Sequence, residues 1–503
     1  MPGGERGVQI LEIAKEEIKK LREEGIEPYA YKYDRDSYIN EIHEKYKDIK
    51  VDELIEDYVS IAGRLMAIRR HGKASFAHIS DISGTIQLYI KKNEVGDFSY
   101  NLFKRLNVGD IIGVKGYIFK TRTGELTILV KELTLLSKSI RPLPEKWHGL
   151  RDVETRYRKR YLDLIVNPRA REIFILRSKL IHYMRDFLDE HDFLEVETPI
   201  LQPLYGGAMA KPFKTYHNAL DMEMYLRIAP ELYLKRLIVG GLEKVYEINK
   251  NFRNEGISIR HNPEFTMMEL YEAYNDYIGM MKFTEEMIVA ILERLGLGTK
   301  LTYQEHELDF SLPWKRITFI EAIEEYSGYK VSEMSDEEIL SLPDKLDMEI
   351  VGGVTKYKVL KELFETYAED NFIQPTFVMD YPTEISPLSK KKRGNPEFAE
   401  RFELFIAGQE VGNAYSELND PEDQLQRFLK QQEEKKKGDV EAHEIDYDYI
   451  EALEYGMPPT AGLGIGIDRL VMIVTDSPSI REVILFPHLR REKDKEDLSD
   501  KGE

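Results

Sequence analysis

The spacing of hydrophobic residues changes near residue 58, where a helical pattern gives way to a strand pattern. Ahead of this point, apolar residues recur three or four positions apart, as on one face of an α-helix: Leu11, Ala14, Ile18 and Leu21. Gly25 follows them, at a place where a left-handed residue can end the helix. We therefore expect an N-terminal helical segment over residues 1–57, with this helix lying against another part of the protein.

Over residues 58–140 the apolar runs are short, rich in β-branched residues and separated by Gly, Asn or Asp. Four of these runs are VSIAGRLMAI, GTIQLYI, DIIGVKGYIFK and ELTILVKELTLL. They predict four or five strands of a small barrel or sandwich. A stretch with two prolines follows, and we interpret it as a linker over residues 141–155.

The remaining region, residues 156–490, mixes helical and strand patterns without the strict alternation of a parallel sheet. Helical spacing covers 178–190, 230–240 and 280–296. Strand patterns cover 223–228, 243–249, 263–273, 400–416 and 461–467. We therefore predict an α+β protein, with a mostly antiparallel sheet flanked by helices after the N-terminal barrel. The last stretch, 491–503, is almost entirely charged and is predicted to be disordered.

Composition narrows the class of protein. Of the 503 residues, 42% are hydrophobic, which excludes a largely disordered chain. The lack of cysteine excludes disulfides, thiol nucleophiles and cysteine-ligated metals. The sequence has no apolar run of the length of a membrane span or signal peptide, so we expect a cytoplasmic protein without membrane contact.

Charge distinguishes the barrel region from the rest of the chain. The whole chain has 71 Lys and Arg against 91 Asp and Glu, a formal charge of −20. Residues 60–140 instead contain 13 basic and 6 acidic residues, with Phe76 and Tyr89 among them. A basic barrel with exposed aromatic side chains is typical of folds that bind single-stranded nucleic acid. The alternative is an ordinary barrel with a solvated charged face.

Candidate functional residues lie on the strand predicted at 263–273 and in the loop before it. Strand periodicity places Phe265, Met267, Glu269 and Tyr271 on one face, where a buried carboxylate would need a partner.

The loop before that strand carries Arg253, Glu255, Arg260 and His261, side chains suited to gripping phosphates. The alternative is a surface hairpin stabilised by ion pairs.

Two acids lie in a predicted hairpin near residue 406. A turn at Ile406 and Ala407 would place Glu403 opposite Glu410, which is unfavourable unless a cation lies between them. Hard oxygen ligands favour Mg²⁺ bound together with substrate phosphates. The alternative is a different register with both acids solvated.

Further along, glycines at 462, 464 and 466 leave a strand with little side chain, and Arg469 follows at the start of a predicted helix.

Taken together, these stretches resemble the motifs of a known enzyme family. FRNE, HNPEF and GLGIGIDR resemble motifs 2 and 3 of class II aminoacyl-tRNA synthetases, and FLEVETP resembles motif 1, with Pro199 in the place of its proline. Other stretches are similar to the class II lysyl-tRNA synthetases of subclass IIb: YLRIAPELYLKRL, TMMELYEAY, NAYSELNDPEDQ and LEYGMPP. The stretch AGRLMAIRRHGKASFAHISDISGTIQLY is similar to the anticodon-binding OB-fold barrel of that family. The resemblance extends over about residues 10–490.

The resemblance implies ATP-dependent activation of lysine as lysyl-adenylate, followed by transfer to the 3′-hydroxyl of the terminal adenosine of tRNA(Lys). It also implies Mg²⁺ as cofactor and a homodimer formed through the motif 1 region. The alternatives are a paralogue that lysylates something other than tRNA, and a subclass IIb synthetase for aspartate or asparagine. The acidic candidates Glu417 and Glu269 favour a cationic amino acid.

The resemblance also implies a role for individual residues. Catalysis is implied for Arg253 and Arg469. ATP binding is implied for Arg253, Glu255, His261, Asn262, Phe265, Glu403 and Arg469. Lysine binding is implied for Gly206, Glu231, Arg253, Glu269, Tyr271, Asn413 and Glu417. Anticodon binding is implied for Arg64, Phe76, Gln87 and Glu125, and metal binding for Glu403 and Glu410.

Overall fold

A computed structural model describes the chain over residues 5–144, 150, 152–348, 350, 353–436 and 445–490. The chain divides into two compact units, Met1–Arg151 and Asp152–Glu503. The tail predicted at 491–503 and the linker residues 145–149 and 151 lie outside the described residues.

The first unit is built around a β-barrel. Its elements are α1 Glu5–Glu23, α2 Ile39–Lys45, β1 Leu54–His71, β2 Ala74–Ser80, β3 Thr85–Lys91, α3 Lys92–Arg105, β4 Ile111–Lys120 and β5 Leu126–Ser137. Within the described residues, the strands close in the order β1-β2-β3-β5-β4, and β3 and β5 pair in parallel. Apolar side chains point inward at alternate positions, such as Ile86, Leu88 and Ile90 of β3. The predicted N-terminal barrel is therefore confirmed.

The first helix, α1, follows the predicted apolar face. Leu21 is buried in the core of this unit, and Ile18 is half-buried beside it. Gly25 follows the helix with a φ of 76°. The backbone N–H of Ile26 donates to the carbonyl of Leu21 at 2.9 Å, which satisfies a carbonyl at the helix end. The helix therefore ends where the sequence predicts.

The second unit is larger and combines one main sheet with helices. Its elements are α4 Val153–Arg158, α5 Arg160–Val166, α6 Pro168–Glu190, β6 Leu194–Glu195, β7 Leu201–Gln202, β8 Phe213–His217, β9 Met222–Leu226, α7 Glu231–Val239, β10 Lys244–Phe252, β11 Glu264–Ala273, α8 Tyr277–Arg294, β12 Lys300–Tyr303, β13 His306–Asp309, β14 Lys315–Thr318, α9 Phe319–Ser327, α10 Asp336–Leu340, α11 Leu342–Leu346, α12 Lys356–Tyr367, β15 Thr376–Met379, β16 Lys391–Lys392, β17 Asn395–Ala399, β18 Arg401–Ile406, β19 Gln409–Ser416, α13 Pro421–Lys436, α14 Tyr447–Glu454, β20 Thr460–Gly466, α15 Ile467–Val474 and α16 Ile480–Val483. Eight strands in the described part of this unit form the sheet β14-β15-β18-β19-β20-β11-β10-β6. The end pairs β14–β15 and β10–β6 are parallel, whereas the inner pairs are antiparallel.

The two faces of this sheet differ in character. Met268 and Leu270 of β11, with Leu463 and Ile465 of β20, are buried in the core that α6, α8 and α15 share. Alternate residues such as Glu269 point to the opposite face, where a cavity opens. The predicted α+β class with a mostly antiparallel sheet is confirmed. None of the helices in the described ranges has both the length and the apolar composition that crossing a membrane requires.

One predicted register is wrong. The β18–β19 hairpin turns at Ala407–Gly408, one residue later than expected, and both turn residues have positive φ. Glu410 consequently lies opposite Phe405, and Glu403, which lies beyond a β-bulge, is opposite Asn413.

An irregularity in the same hairpin restores the position of one acid. A β-bulge between Leu404 and Phe405 leaves Val411 as an extra residue on β19. A bulge changes which face the following residues point to, so Glu410 shares the cavity face with Asn413. Both acids therefore line the cavity even though they do not face each other across the hairpin.

Candidate active site

A cavity of about 490 Å³ opens on the sheet face opposite the helical core. Strands β11, β18, β19 and β20 contribute to its wall, together with α7 and the loop before β11. Every residue predicted for ATP, lysine or metal binding lines this cavity except Gly206, whose neighbour Gly207 does. A Cβ atom at Gly207 would lie 2.9 Å from that of Glu231, so this loop approaches α7 as closely as a glycine allows.

Strands β11 and β20 form one wall of the cavity. Glu269 and Tyr271 extend from β11, and the Tyr271 hydroxyl donates to the Glu269 carboxylate at 3.3 Å. Gly462 of β20 pairs with Tyr271. A methyl group on Gly462 would lie 2.5 Å from Tyr271 Cε1 and closer still to Glu417. The glycine therefore gives these two side chains room to lie over the strand.

A buried lysine joins the acids at this part of the cavity. Lys235 Nζ lies 2.5 Å from Glu231 Oε1 and also contacts Glu417 Oε2. The Tyr415 hydroxyl donates to the same Glu231 oxygen at 2.6 Å. Burial opposes the charged form of Lys235, but Glu231 and Glu417 raise its pKa above the ordinary value. The lysine therefore remains an ammonium between two carboxylates.

Two carboxylates at this part of the cavity would be stabilised by a cationic ligand. Burial, reinforced by Glu231, raises the pKa of Glu269 to about 8. Burial also raises the pKa of Glu417, against the opposing effect of Lys235. Glu417 Oε1 is buried and has no hydrogen-bond partner in the described part of the chain. An added positive charge would therefore stabilise the ionised forms of both acids.

Cations line another part of the cavity. Arg253 follows β10, and its buried Nε has no hydrogen-bond partner among the described residues. Burial lowers the pKa of Arg253, with Glu255 opposing the shift. Arg469 donates to the backbone carbonyl of Glu410 at 2.5 Å, and His261 Nε2 lies 3.3 Å from its Nη2. Two guanidinium groups facing one cavity suit a carboxylate or phosphates.

The loop before β11 is held by its own side chains. The Asn262 amide donates to the Glu264 carbonyl at 2.5 Å and accepts from the His488 backbone N–H at 3.1 Å. The Phe265 ring lies under Arg253, with the guanidinium carbon 5.1 Å from its centroid. This arrangement presents an aromatic face and a cation side by side.

One of the two predicted metal ligands, Glu403, already has hydrogen-bond donors. Glu403 accepts from the Tyr381 hydroxyl at 2.7 Å and from Arg401 at 2.5 Å. A third acid, Glu369, also lines the cavity. Burial, reinforced by Glu410 and Glu403, raises the pKa of Glu369 to about 7. No group of three metal-ligating side chains converges on one point within the described ranges. Since Mg²⁺ commonly takes one or two carboxylates and completes its shell with phosphates and water, Glu403 and Glu410 fit it only beside a phosphate.

The predicted anticodon residues lie in the first unit. The Phe76 ring stacks on Tyr89 with centroids 4.6 Å apart. On the same face of β3, Gln87 Nε2 donates to Glu125 Oε2 at 2.6 Å. Arg64 instead donates to a backbone carbonyl at 2.7 Å, farther along β1. Three of the four residues thus form one aromatic and polar patch on the barrel, defined by Phe76, Gln87 and Glu125.

Comparison with known proteins bears on both units. The family described as "tRNA synthetases class II (D, K and N)" matches residues 152–490, and "OB-fold nucleic acid binding domain" matches residues 59–136. The lysine–tRNA ligase of Syntrophomonas wolfei subsp. wolfei is 54% identical over 483 residues, which cover 96% of this chain and 97% of that relative. The lysine–tRNA ligase of Carboxydothermus hydrogenoformans is 55% identical over 484 residues, covering 96% and 98%. The chain belongs to the class II lysine–tRNA ligases.

Membership of the lysine–tRNA ligases confirms the family resemblance found in the sequence. The class II family model spans three amino-acid specificities, so it does not separate the lysine enzymes from the aspartate and asparagine enzymes. The full-length identity to lysine–tRNA ligases makes that separation. The OB-fold match confirms that the barrel is a nucleic-acid-binding type of domain.

Three side chains at this lysine–tRNA ligase site were missed by sequence reasoning. Lys235 contacts the predicted acids, Tyr415 donates to Glu231, and Arg401 donates to Asn413 Oδ1 at 3.1 Å. For two of them, Lys235 and Tyr415, the spacing along the sequence could have indicated that they lie near a predicted site residue. Lys235 is one helical turn after Glu231, and Tyr415 is two strand residues after Asn413.

Proposed function

We propose that this chain activates L-lysine with ATP as lysyl-adenylate and then transfers lysine to the 3′-hydroxyl of the terminal adenosine of tRNA(Lys). The observation that carries this is one cavity lined both by buried carboxylates and by guanidinium groups, among them Arg253 and Arg469. Lysine has two ammonium groups and a carboxylate, and ATP is polyanionic. Carboxylates suit the ammonium groups, and guanidinium groups suit the anions.

In this proposal the carboxylates bind the ammonium groups at the two ends of lysine. Glu417 and Tyr271 receive the ε-ammonium, because the free Glu417 Oε1 offers a buried acceptor. Glu231 receives the α-ammonium, and Glu269 and Asn413 line the space between them. A buried acceptor left without its ammonium is strongly penalised, so uncharged amino acids of similar length are rejected.

The first step is attack of the lysine carboxylate on the α-phosphorus of ATP. A bond forms from a carboxylate oxygen to phosphorus, and the bond to the bridging oxygen breaks as pyrophosphate leaves. The nucleophile is already ionised, so the site supplies positioning and charge neutralisation. Arg253 bridges the lysine carboxylate and the α-phosphate, since its planar group can bind two anions at once.

The nucleotide is held by the loop before β11 and by α15. Phe265 stacks on one face of adenine and Arg469 covers the other, while Glu255 and His261 contact the adenine amino group and the phosphates. Burial, with Arg469 nearby, lowers the pKa of His261, which keeps the imidazole neutral at pH 7. A neutral ring can donate one hydrogen bond without adding charge.

Glu403 and Glu410 would hold Mg²⁺ on the ATP phosphates. Bound there, the ion would supply positive charge against the charge of the phosphates. The charges at the two acids support this role. Burial raises the pKa of Glu403, Arg401 opposes this shift, and Glu410 adds to it. A cation held by both acids would relieve the repulsion between them.

The barrel would read the anticodon. Phe76 offers a stacking face for a base, and Gln87 and Glu125 offer hydrogen-bonding groups to base edges. Arg64 would contribute from farther along β1.

A homodimer is proposed through the motif 1 region, at work in the cytoplasm. The support is a group of large apolar side chains that remain exposed around that motif: Leu194, Ile200, Leu201, Tyr216 and Leu220.

Aminoacylation of tRNA(Lys) with radioactive lysine tests the function. We expect charging of tRNA(Lys) and a loss on the order of 10-fold or more in kcat/KM for tRNA in Phe76→Ala, because one stacked base contributes about 1–3 kcal/mol. Lysine activation without tRNA should not change in this variant. Absence of tRNA charging by the active wild-type enzyme would favour a lysylating paralogue that acts on another acceptor.

A further inference from the structure

Lys235 is a fully buried cation that the proposed reaction does not use. It projects from α7 one turn after Glu231, and its side chain is 0% exposed. Its ammonium lies 2.5 Å from Glu231 Oε1, contacts Glu417 Oε2, and lies 5.4 Å from the centroid of the Tyr415 ring. A buried ammonium is stable only when paired in this way.

The position of Lys235 separates it from the residues that can touch a substrate. Glu231, Glu417 and Tyr415 line the cavity, whereas Lys235 lies behind them. Each of the two carboxylates gives one oxygen to the ammonium. For Glu417, the second oxygen is left buried and without a partner in the described part of the chain.

The charges at the site suit a monocation. The charged groups that act on these acids are Glu231, Glu269, Glu417, Lys235 and Arg253, besides the Arg227–Glu247 ion pair. Glu269 is largely protonated in the free site and ionises when a cation binds, and with all three acids ionised these groups leave one net negative charge. Lysine carries one net positive charge and would neutralise it. Removal of Lys235 would double the imbalance and leave two acids without the group that holds them.

We propose that Lys235 is a positioning residue for amino-acid length. By holding Glu231 and Glu417 together, its ammonium fixes the separation of the two carboxylates that read the ends of lysine. This inference rests on the proposed function, in which those acids bind the α- and ε-ammonium groups.

A fixed separation discriminates by length. Ornithine is one methylene shorter than lysine, so its terminal ammonium falls short by about one bond length, roughly 1.5 Å. A charge-assisted hydrogen bond does not survive that gap if the carboxylate is held in place. A carboxylate released from Lys235 can move toward the shorter substrate.

The test is ATP–pyrophosphate exchange with lysine and with ornithine in Lys235→Met. We expect kcat/KM for lysine to fall on the order of 10²-fold, because a buried charge pair is broken. The ratio of kcat/KM for lysine to that for ornithine should shrink at least about tenfold, with KM for ATP within about twofold of wild type. Lys235→Gln serves if the methionine variant does not fold, because its amide is uncharged and one bond shorter than the lysine side chain and so does not bridge the two acids.

A matched control is Arg236→Met. Arg236 is the next residue on α7, but it binds Asp446 and Asp448 instead of the site acids. It should lower the unfolding midpoint without changing the lysine-to-ornithine ratio.

A lysine-to-ornithine ratio in Lys235→Met or Lys235→Gln that equals the wild-type ratio would overturn the positioning role. A wild-type enzyme that fails to activate lysine at all would instead contradict the proposed function, so the two failures are distinguishable.

Discussion

A methyl group on Gly462 should block the lysine end of the cavity. Gly462 lies on β20, beneath two of the side chains proposed to read the ε-ammonium. Its φ is not in the left-handed region, so alanine brings no backbone strain there. The effect of Gly462→Ala therefore comes from the added carbon alone.

The size of the effect follows from the contact distances. The added carbon would lie 2.5 Å from Tyr271 Cε1 and closer to Glu417 Oε1, where ordinary contact begins near 3.4 Å. One or both side chains must move by about 1 Å, and overpacking of this kind costs about 1–3 kcal/mol. We expect kcat/KM for lysine to fall by about 10–100-fold, because a displaced carboxylate loses its ammonium.

Two glycines on the same strand provide a graded control. A carbon on Gly466 would meet its nearest protein neighbour at 3.6 Å, so Gly466→Ala should leave KM for lysine almost unchanged. A carbon on Gly464 would lie 3.1 Å from Met267 Cε, the end of a flexible side chain, so its effect should be small. The assay is pyrophosphate exchange, with KM for lysine and for ATP measured separately in each variant.

The increase in KM for lysine should be largest in Gly462→Ala, small in Gly464→Ala and almost absent in Gly466→Ala. If Gly462→Ala keeps the wild-type KM for lysine, or raises KM for ATP as much as KM for lysine, Gly462 does not face the amino-acid end.

The remaining predictions address the other charged groups of the site. Arg253→Ala should slow adenylate formation by about 10²–10³-fold in a single-turnover assay, because a fixed donor to both anions is lost; a rate within threefold of wild type would exclude that role. Glu403→Gln and Glu410→Gln should each raise the Mg²⁺ concentration needed for half-maximal exchange, since a hard cation loses an anionic ligand, and an unchanged titration in both would contradict it. Glu417→Gln should lower kcat/KM for lysine far more than affinity for ATP and shrink the preference for lysine over norleucine by about 10²-fold or more; an unchanged preference would show that it does not read the ammonium. Burial raises the pKa of Glu269 to about 8, so it is largely protonated at pH 7 and ionises above pH 8. KM for lysine should therefore fall as pH rises from about 7 to 9. The stability of the free enzyme should fall as pH rises from about 4.5, the ordinary carboxyl pKa, to about 8, because over this interval folded Glu269 keeps a proton that the unfolded chain has lost. A Glu269→Gln variant with the same two pH profiles would refute this.

Much of the fold followed from local pattern. The 3.6-residue spacing before Gly25 and the short β-branched runs after residue 58 predicted a helix and a barrel, and both are present. The register of the β18–β19 hairpin was not predictable in this way. It depends on a turn with positive φ at Ala407–Gly408 and on a bulge at Val411, and neither leaves a periodic signal.

The residues of the candidate site were likewise predicted only in part from the sequence. Glu269 stood out because a carboxylate on an apolar strand face is costly without a partner. Arg253 stood out in a loop suited to phosphates, and Glu417 through the resemblance to the family. Lys235 did not stand out, since a Glu–Lys pair one turn apart on a helix is usually a solvated surface pair. Its full burial and its contact with Glu417 as well as Glu231 give it a different meaning.

The most direct test of the account is wild-type ATP–pyrophosphate exchange with each of the twenty amino acids in turn, at saturating Mg²⁺–ATP. The cavity around Glu231, Glu269 and Glu417 predicts exchange with lysine and a kcat/KM at least about 10³-fold lower for any uncharged amino acid. Exchange that is highest with aspartate, asparagine or an apolar amino acid would contradict it.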